Sequence, residues 1–292
     1  MIVVTGAAGH LGRRTVELLL ERVDASDVVA ATRDPGKLDD LAARGVTVRA
    51  ADFDEPDGLA RAFDGAERLL LVSTSELRPG LRVEQHRRAV DAAARAGVGH
   101  VVYTSFTRPS EDNPAGVSTD HRETERALAA AGVPWTALRN NLYTEALLQQ
   151  GAPAVASGVL ATNGAGGAAG YVTREDCAAA AAGLLASGGH VGEALEITGP
   201  ASVPYEEVAE ALGAATGRPV RVQALDDQQA VDGAVAAGVP EPFAHLLASF
   251  GRAVREGWLD VTTPYVAELS GREPTPVADF LAAHRTELLA AS

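Results

Sequence analysis

The first residues able to do chemistry come at the N-terminus. Gly6, Gly9 and Gly12 stand in a GxxGxxG spacing within Val3–Gly12 (VVTGAAGHLG). The motif directly follows a β-branched run, Met1–Thr5, and opens a helix-like stretch. Glycines so placed let the backbone turn tightly and approach a pyrophosphate, and the helix N-terminus then favours its negative charge. Gly6, Ala8, Gly9, His10, Leu11 and Gly12 therefore form a candidate phosphate cradle. His10 is expected at the phosphate or the nicotinamide ribose, with a plain surface-turn histidine as the alternative.

A second observation is an absence. A tyrosine acid–base pair of the Tyr-x-x-x-Lys type needs a lysine to lower the tyrosine pKa. The positions four residues after Tyr103, Tyr143, Tyr171, Tyr205 and Tyr265 hold Thr107, Leu147, Glu175, Ala209 and Leu269. Lys37 is the one lysine of the chain. That argues against alcohol dehydrogenase and sugar epimerase chemistry. No GxSxG elbow, HExxH or Walker-type GK[ST] motif is present, and no metal site is expected.

Alternating elements must position these residues. Strand-like runs fall at Met1–Thr5, Asp27–Thr32, Val46–Ala50, Arg68–Ser73, His100–Ser105 and Val133–Leu138. Helix-like runs fall between them at Leu11–Val23, Lys37–Arg44, Pro56–Phe63, Val83–Ala96 and Ser118–Ala131, the last with Ser118 or Thr119 as its cap. Six strands with intervening helices predict an α/β fold, a Rossmann-type doubly wound parallel sheet. Residues 1–145 form the expected NADP-binding domain. Residues 146–292 form a smaller, mostly helical substrate lobe, some segments of which return to the sheet. Within that lobe, Gly151–Gly170 reads as Gly/Ala-rich loop. Helices follow at Arg174–Ala186 and Tyr205–Thr216, with a strand at Ala194–Thr198.

Composition limits the partners. The 292 residues carry a net charge of −14, which disfavours a nucleic-acid phosphate backbone. No apolar run reaches membrane-spanning length, and no basic region precedes the N-terminal apolar stretch. The single cysteine, Cys177, excludes an internal disulfide. A reducing cytoplasm is the expected setting, and a homodimer is left open.

Ligands of such sheets lie beyond the carboxyl ends of the strands. Strand two ends at Thr32-Arg33-Asp34. Arg33 is placed to meet a 2′-phosphate, with Lys37 adding charge, so NADPH is expected over NADH. A solvated loop arginine is the alternative, and Asp34 leaves some NADH use open. Ser73, Thr74 and Ser75 end strand four, on the path from adenosine ribose to nicotinamide. Tyr103, Thr104 and Ser105 end strand five; Asn140, Asn141 and Tyr143 follow strand six. These two ends should flank the nicotinamide, with Asn140 and Asn141 orienting the carboxamide or the acceptor. Tyr103 has a core position as its alternative. His86 is expected to be a packed histidine. The Asn163–Gly170 loop with Tyr171 is expected to be a mobile flap over substrate, or else a plain surface loop.

Six fragments together carry a family resemblance. They are VVTGAAGHLG, VDASDVVAATRDPGK (Val23–Lys37), LLLVSTSE (Leu69–Glu76), VEQHRRAVDAAARAGVGHVVYTS (Val83–Ser105), ETERAL (Glu123–Leu128) and ALRNNLYTE (Ala137–Glu145). The chain resembles the NmrA-like atypical short-chain dehydrogenases/reductases. Within them it is most similar to the branch of type 2 NAD(P)H:quinone oxidoreductases and triphenylmethane reductases. The resemblance implies Arg33 as the NADPH determinant and puts Asp52 and Phe53 near adenine, where Asp52 otherwise only caps a turn. It also implies that His121, near the place of the lost lysine, reaches the nicotinamide, the alternative being a solvated helix-start histidine. The implied activity is NADPH-dependent hydride transfer to a quinone or similar flat conjugated acceptor. The missing Tyr-Lys pair suits that chemistry, because a hydroquinone anion is stabilised and water protonates it. A non-catalytic NADP-sensing regulator and a biosynthetic imine or polyketide reductase are the alternatives.

Overall fold

The computed structural model describes residues 1–78 and 80–290; residues 291 and 292 of the expected second unit lie outside them. Each predicted strand of the first half forms: β1 (Ile2–Val4), β2 (Val28–Thr32), β3 (Thr47–Ala50), β4 (Arg68–Leu71), β5 (His100–Phe106) and β6 (Trp135–Asn140). Between them run α1 (His10–Leu19), α2 (Asp39–Ala43), α3 (Pro56–Phe63), α4 (Leu81–Arg95) and α5 (Ser118–Ala130). The second half adds α6 (Ala146–Ser157), β7 (Val159–Thr162), β8 (Ala168–Ala169), α7 (Arg174–Ser187), β9 (Glu193–Ile197), β10 (Val203–Pro204), α8 (Tyr205–Thr216) and β11 (Arg221–Ala224). Five helices close it: α9 (Asp227–Ala236), α10 (Glu241–Arg255), α11 (Tyr265–Ser270), α12 (Val277–Ala283) and α13 (Arg285–Ala290).

Seven strands make one parallel sheet in the order β3-β2-β1-β4-β5-β6-β9. Strand order reverses between β1 and β4, and such a switch point opens a ligand crevice. One face packs Val3, Leu69, Leu71, Val101 and Tyr103 against α3, α4 and α5. The other packs Val4, Leu70, Val102 and Leu138 against α1 and α7. Burial on both faces explains why β2, β4 and β5 read as nearly unbroken apolar runs. A second core, with Leu147, Leu212, Val254 and Leu281, holds the lobe built from α6, α8, α10 and α12.

Three local expectations change. The Gly151–Gly170 stretch is not all loop, because α6 runs through Pro153 to a left-handed cap at Gly158. Burial of Leu147, Ala152, Ala154 and Val155 holds that helix despite the proline. Neither Ser118 nor Thr119 caps α5; Val117 sits at the cap, and Ser118 Oγ donates to Ser110 O instead. The Asn163–Gly170 segment is pinned, not laid out as a free flap. Asn163 Nδ2 donates to Ala248 O at 2.8 Å and to Asp227 Oδ1 at 2.7 Å. A Cβ on Gly167 would stand 2.1 Å from Val254 O, and Tyr171 is buried.

Small residues set the closest helix packing. α7 buries Ala178–Ala182, and a Cβ on Gly183 would stand 1.8 Å from Leu269 O in α11. Gly233, in α9, has nothing within 4 Å of that position. Gly183→Ala should therefore lower stability by about 3 kcal/mol through overpacking. Gly233→Ala should raise it by roughly 0.5–1 kcal/mol through helix propensity. Urea unfolding of both variants reads the contrast, and equal effects would show that the α7–α11 contact is not tight.

Candidate cofactor and active site

The crevice begins where β1 and β4 part. Thr5 Oγ1 donates to Leu70 O at 3.0 Å and accepts from Val72 N at 2.9 Å, holding the two chains as they diverge. The chain then turns through Gly6, whose φ is +61°, a value that favours glycine. Gly9 N donates to Gly6 O at 2.8 Å, and Gly9 is the N-cap of α1. A Cβ on Gly12 would stand 2.4 Å from Gly6 O, so α1 lies against the turn only with glycine there.

A cavity of about 530 Å³ opens over this turn. It is lined by Gly6, Ala8, Gly9, Arg33, Lys37, Asp52, Phe53, Ser73, Thr74 and Ser75 among the sequence candidates. Thr32, Asp34, Ala51, Val72, Glu76 and Gln85 also line it; no motif pointed to Gln85, whose only signal is its place in the first turns of α4. Lys37 Nζ lies 3.8 Å from Asp34 Oδ2, and Arg33 is exposed at the rim. Two cations thus stand at the end of β2, opposite the α1 N-terminus. Such an arrangement suits phosphate at both places.

Other candidates sit outside this lining. Gly12 shapes the turn, Leu11 is buried in the core beneath it, and His10 is exposed. Thr104 Oγ1 accepts from Ser73 N at 2.9 Å, so it props the cavity wall. Ser105 Oγ donates to Glu125 Oε1 at 2.7 Å, and Arg139 Nη2 donates to Glu125 Oε2 at the same distance. Tyr103 takes the core position. It is wholly buried, with its hydroxyl 2.8 Å from His121 Nδ1 and 3.3 Å from His86 Nδ1.

Burial controls this cluster. It pushes the Tyr103 hydroxyl pKa well up and His121 well down, and holds His86 at about 3. His86 is the packed histidine expected, and it is neutral. Thr74 N donates to its Nε2 at 3.0 Å, so the ring proton sits on Nδ1, 2.9 Å from Thr124 Oγ1. His121 is buried behind Tyr103 and Phe106, not solvated at a helix start.

The β6 end divides its two asparagines. Asn141 is engaged at both ends of its amide: its Nδ2 donates to Leu259 O at 3.0 Å and its Oδ1 accepts from Leu142 N at 2.8 Å. It ties the sheet to the lobe. Asn140 Nδ2 donates to Tyr143 Oη at 3.2 Å, while its buried Oδ1 has no partner among the described residues. Tyr143 lies beneath Arg174, whose guanidinium carbon is 5.0 Å from the ring centre.

A doubly wound sheet with a glycine turn and a phosphate-suited cavity at its switch point defines the class: a Rossmann-type dinucleotide-binding protein. A family model described as NAD(P)H-binding matches residues 6–187. Quinone oxidoreductase 2 of Escherichia coli is 36% identical over 279 residues, 96% of each chain. The crystal structure of an Escherichia coli NADPH-dependent quinone oxidoreductase complexed with NADPH superposes with a TM-score of 0.92 at 35% identity, covering 97% of this chain and 99% of that one. The Citrobacter sp. triphenylmethane reductase complexed with NADP(H) gives 0.91 at 33% identity, covering 98% and 100%. This chain belongs to the NAD(P)H-binding, NmrA-like reductase family.

The rim geometry carries one direct consequence. Arg33→Ala should weaken NADPH binding by roughly 1.5–3 kcal/mol, the range for a hydrogen bond to a charged group, and leave NADH nearly unchanged. Titration of nicotinamide fluorescence with both cofactors reads this; equal losses would mean that Arg33 does not meet the 2′-phosphate.

Proposed function

We propose that this chain is an NADPH-dependent oxidoreductase that passes hydride to a quinone or similarly flat conjugated acceptor. The observation that carries the reading is the dinucleotide cavity at the β1/β4 switch point in a chain with no Tyr-x-x-x-Lys pair. Full-length similarity to proteins named as quinone and triphenylmethane reductases supports it.

NADPH fits the residues present. The Gly6–Gly12 turn and the α1 N-terminus would hold the pyrophosphate, Arg33 and Lys37 the 2′-phosphate, and Asp52 and Phe53 the adenine. The unpartnered buried oxygens of Thr74 and Gln85 on this wall suit a polar ligand. Bound there, NADPH supplies the hydride. Asn140 is the residue proposed to orient the carboxamide or acceptor, through its free Oδ1. Tyr143 supports it from behind by accepting from its Nδ2, Asn141 holds the β6 end to the lobe, and His121 acts through its hydrogen bond to the buried Tyr103. A rigidly placed flat acceptor needs orientation more than a proton donor. No helix among the described residues is long and apolar enough to cross a membrane, and a cytoplasmic setting completes the reading.

NADPH oxidation with a panel of quinones and cationic dyes tests the assignment. Turnover is expected; tight NADPH binding without turnover on any acceptor would favour a cofactor-sensing regulator.

The buried tyrosines give a sharper test. Tyr103→Phe, Tyr143→Phe and Tyr171→Phe should each keep quinone turnover within about tenfold, since a positioned acid–base group contributes roughly 10²–10⁴-fold. Tyr103→Phe should still cost about 1–3 kcal/mol of stability, because it strips a hydrogen bond from buried His121. Asn140→Ala should slow turnover more than any of the three. A thousandfold loss in one Tyr→Phe variant with NADPH affinity intact would establish a tyrosine acid instead.

A further inference from the structure

One wall of the cavity holds two polar atoms that the protein leaves unsatisfied. Gln85 Oε1 and Thr74 Oγ1 are both buried, and both lack a hydrogen-bond partner among the described residues. Both residues line the dinucleotide cavity. Buried polar groups are as a rule paired, so two orphans on residues that line the same cavity point to a ligand that completes them.

Gln85 is the more informative of the two. It is 8% exposed and lies in the first turns of α4. Its Nε2 donates to Asp54 Oδ2 at 3.1 Å, while Asp54 Oδ1 accepts from Arg88 Nη1 at 2.8 Å. A carboxylate only accepts hydrogen bonds, so Asp54 fixes which end of the amide turns toward it. The NH₂ end is held, and Oε1 is left as the free acceptor. Asp54 follows Asp52 and Phe53 directly, so this clamp joins the loop after β3 to α4.

The free oxygen therefore selects a donor. A phosphate is excluded as its partner, because an amide oxygen beside Asp52 and Asp54 repels an anion. The cations for phosphate stand elsewhere on the rim, at Arg33 and Lys37. Phe53 lines the same cavity and offers an aromatic surface to a flat ring. The nicotinamide carboxamide is also a donor, but the β6 end, where that group is expected, does not contribute to this lining. Ribose hydroxyls are donors too, but Gln85 is clamped to Asp54 in the loop after β3, beside Asp52 and Phe53, where the adenine is expected. The donor that this position favours is the exocyclic amine of the adenine ring.

We propose that Gln85, with its amide oriented by Asp54, accepts a hydrogen bond from the adenine amino group and is a base-specificity residue of the site. The proposal rests on the NADPH reading above. It gives the adenine two acceptors, the Asp52 carboxylate and Gln85 Oε1, for its two amino hydrogens. A hypoxanthine ring, which carries a carbonyl oxygen in place of the amine, would face both acceptors with a third.

The test is binding, not turnover. Nicotinamide fluorescence is titrated with NADPH and with reduced nicotinamide hypoxanthine dinucleotide phosphate. Wild type should hold NADPH tighter by roughly tenfold or more, as sites built around a donor reject analogues lacking it. Gln85→Met, which keeps the length and removes the acceptor, should lose about five- to tenfold in NADPH affinity, the worth of one neutral hydrogen bond. It should leave the hypoxanthine form within about twofold on the same reasoning, so the preference shrinks. Asp54→Ala, at an exposed position, should shrink it in the same direction with the circular dichroism spectrum unchanged. Equal losses for both dinucleotides in both variants, an unchanged ratio, or no preference in wild type would overturn the assignment. Failure of wild type to bind NADPH at all would overturn the cofactor reading itself, a result distinct from any change in the base ratio.

Discussion

The approach of α1 to the turn at Gly6 is the constraint on which the cofactor site depends. Gly12 brings the helix so close that any side chain there would meet Gly6 O. Gly6 takes a left-handed conformation, and Gly9 N closes the turn on Gly6 O. These contacts aim the first amides of α1 at the crevice between β1 and β4. Thr5 secures the other side by bonding to both Leu70 and Val72. The phosphate-suited surface is thus a product of backbone packing, and the charged side chains at the β2 end only add to it.

The far wall is held by a buried polar cluster, His86, Tyr103 and His121. His86, fixed as a neutral ring, accepts from Thr74 N and reaches Thr124 in α5. Tyr103 joins His86 to His121. Low local dielectric keeps all three groups uncharged, so the cluster is a rigid strut between β4, β5 and two helices.

Much of this was legible in the residues. Parallel strands buried on both faces leave apolar runs, and the intervening helices carry their own period, so the sheet could be placed nearly strand by strand. The glycine turn and the β2, β3 and β4 ends were legible because the switch-point rule ties them to one crevice. What was hidden depended on tertiary packing. The helix Ala146–Ser157 carries a proline and many small residues, and it exists because the lobe core buries it. Gly167 and Gly170 look flexible in a sequence, yet a Cβ on either would stand against a backbone oxygen, of Val254 or Val261. Asn140 and Asn141 are chemically identical neighbours; Asn140 ends β6 and turns toward Tyr143, while Asn141, just past the strand, bonds to Leu259. No spacing rule pointed to Gln85, because its role arises from Asp54, 31 residues away.

Hydride is proposed to reach a flat acceptor without a protein acid in the transition state. Single-turnover reduction of a quinone by NADPH and by 4-deuterated NADPH, followed across pH, tests this most directly. A primary deuterium isotope effect is expected on a hydride-transfer rate that stays level with pH and shows no solvent isotope effect. A rate that falls tenfold per pH unit above a single pKa, together with a solvent isotope effect, would contradict it.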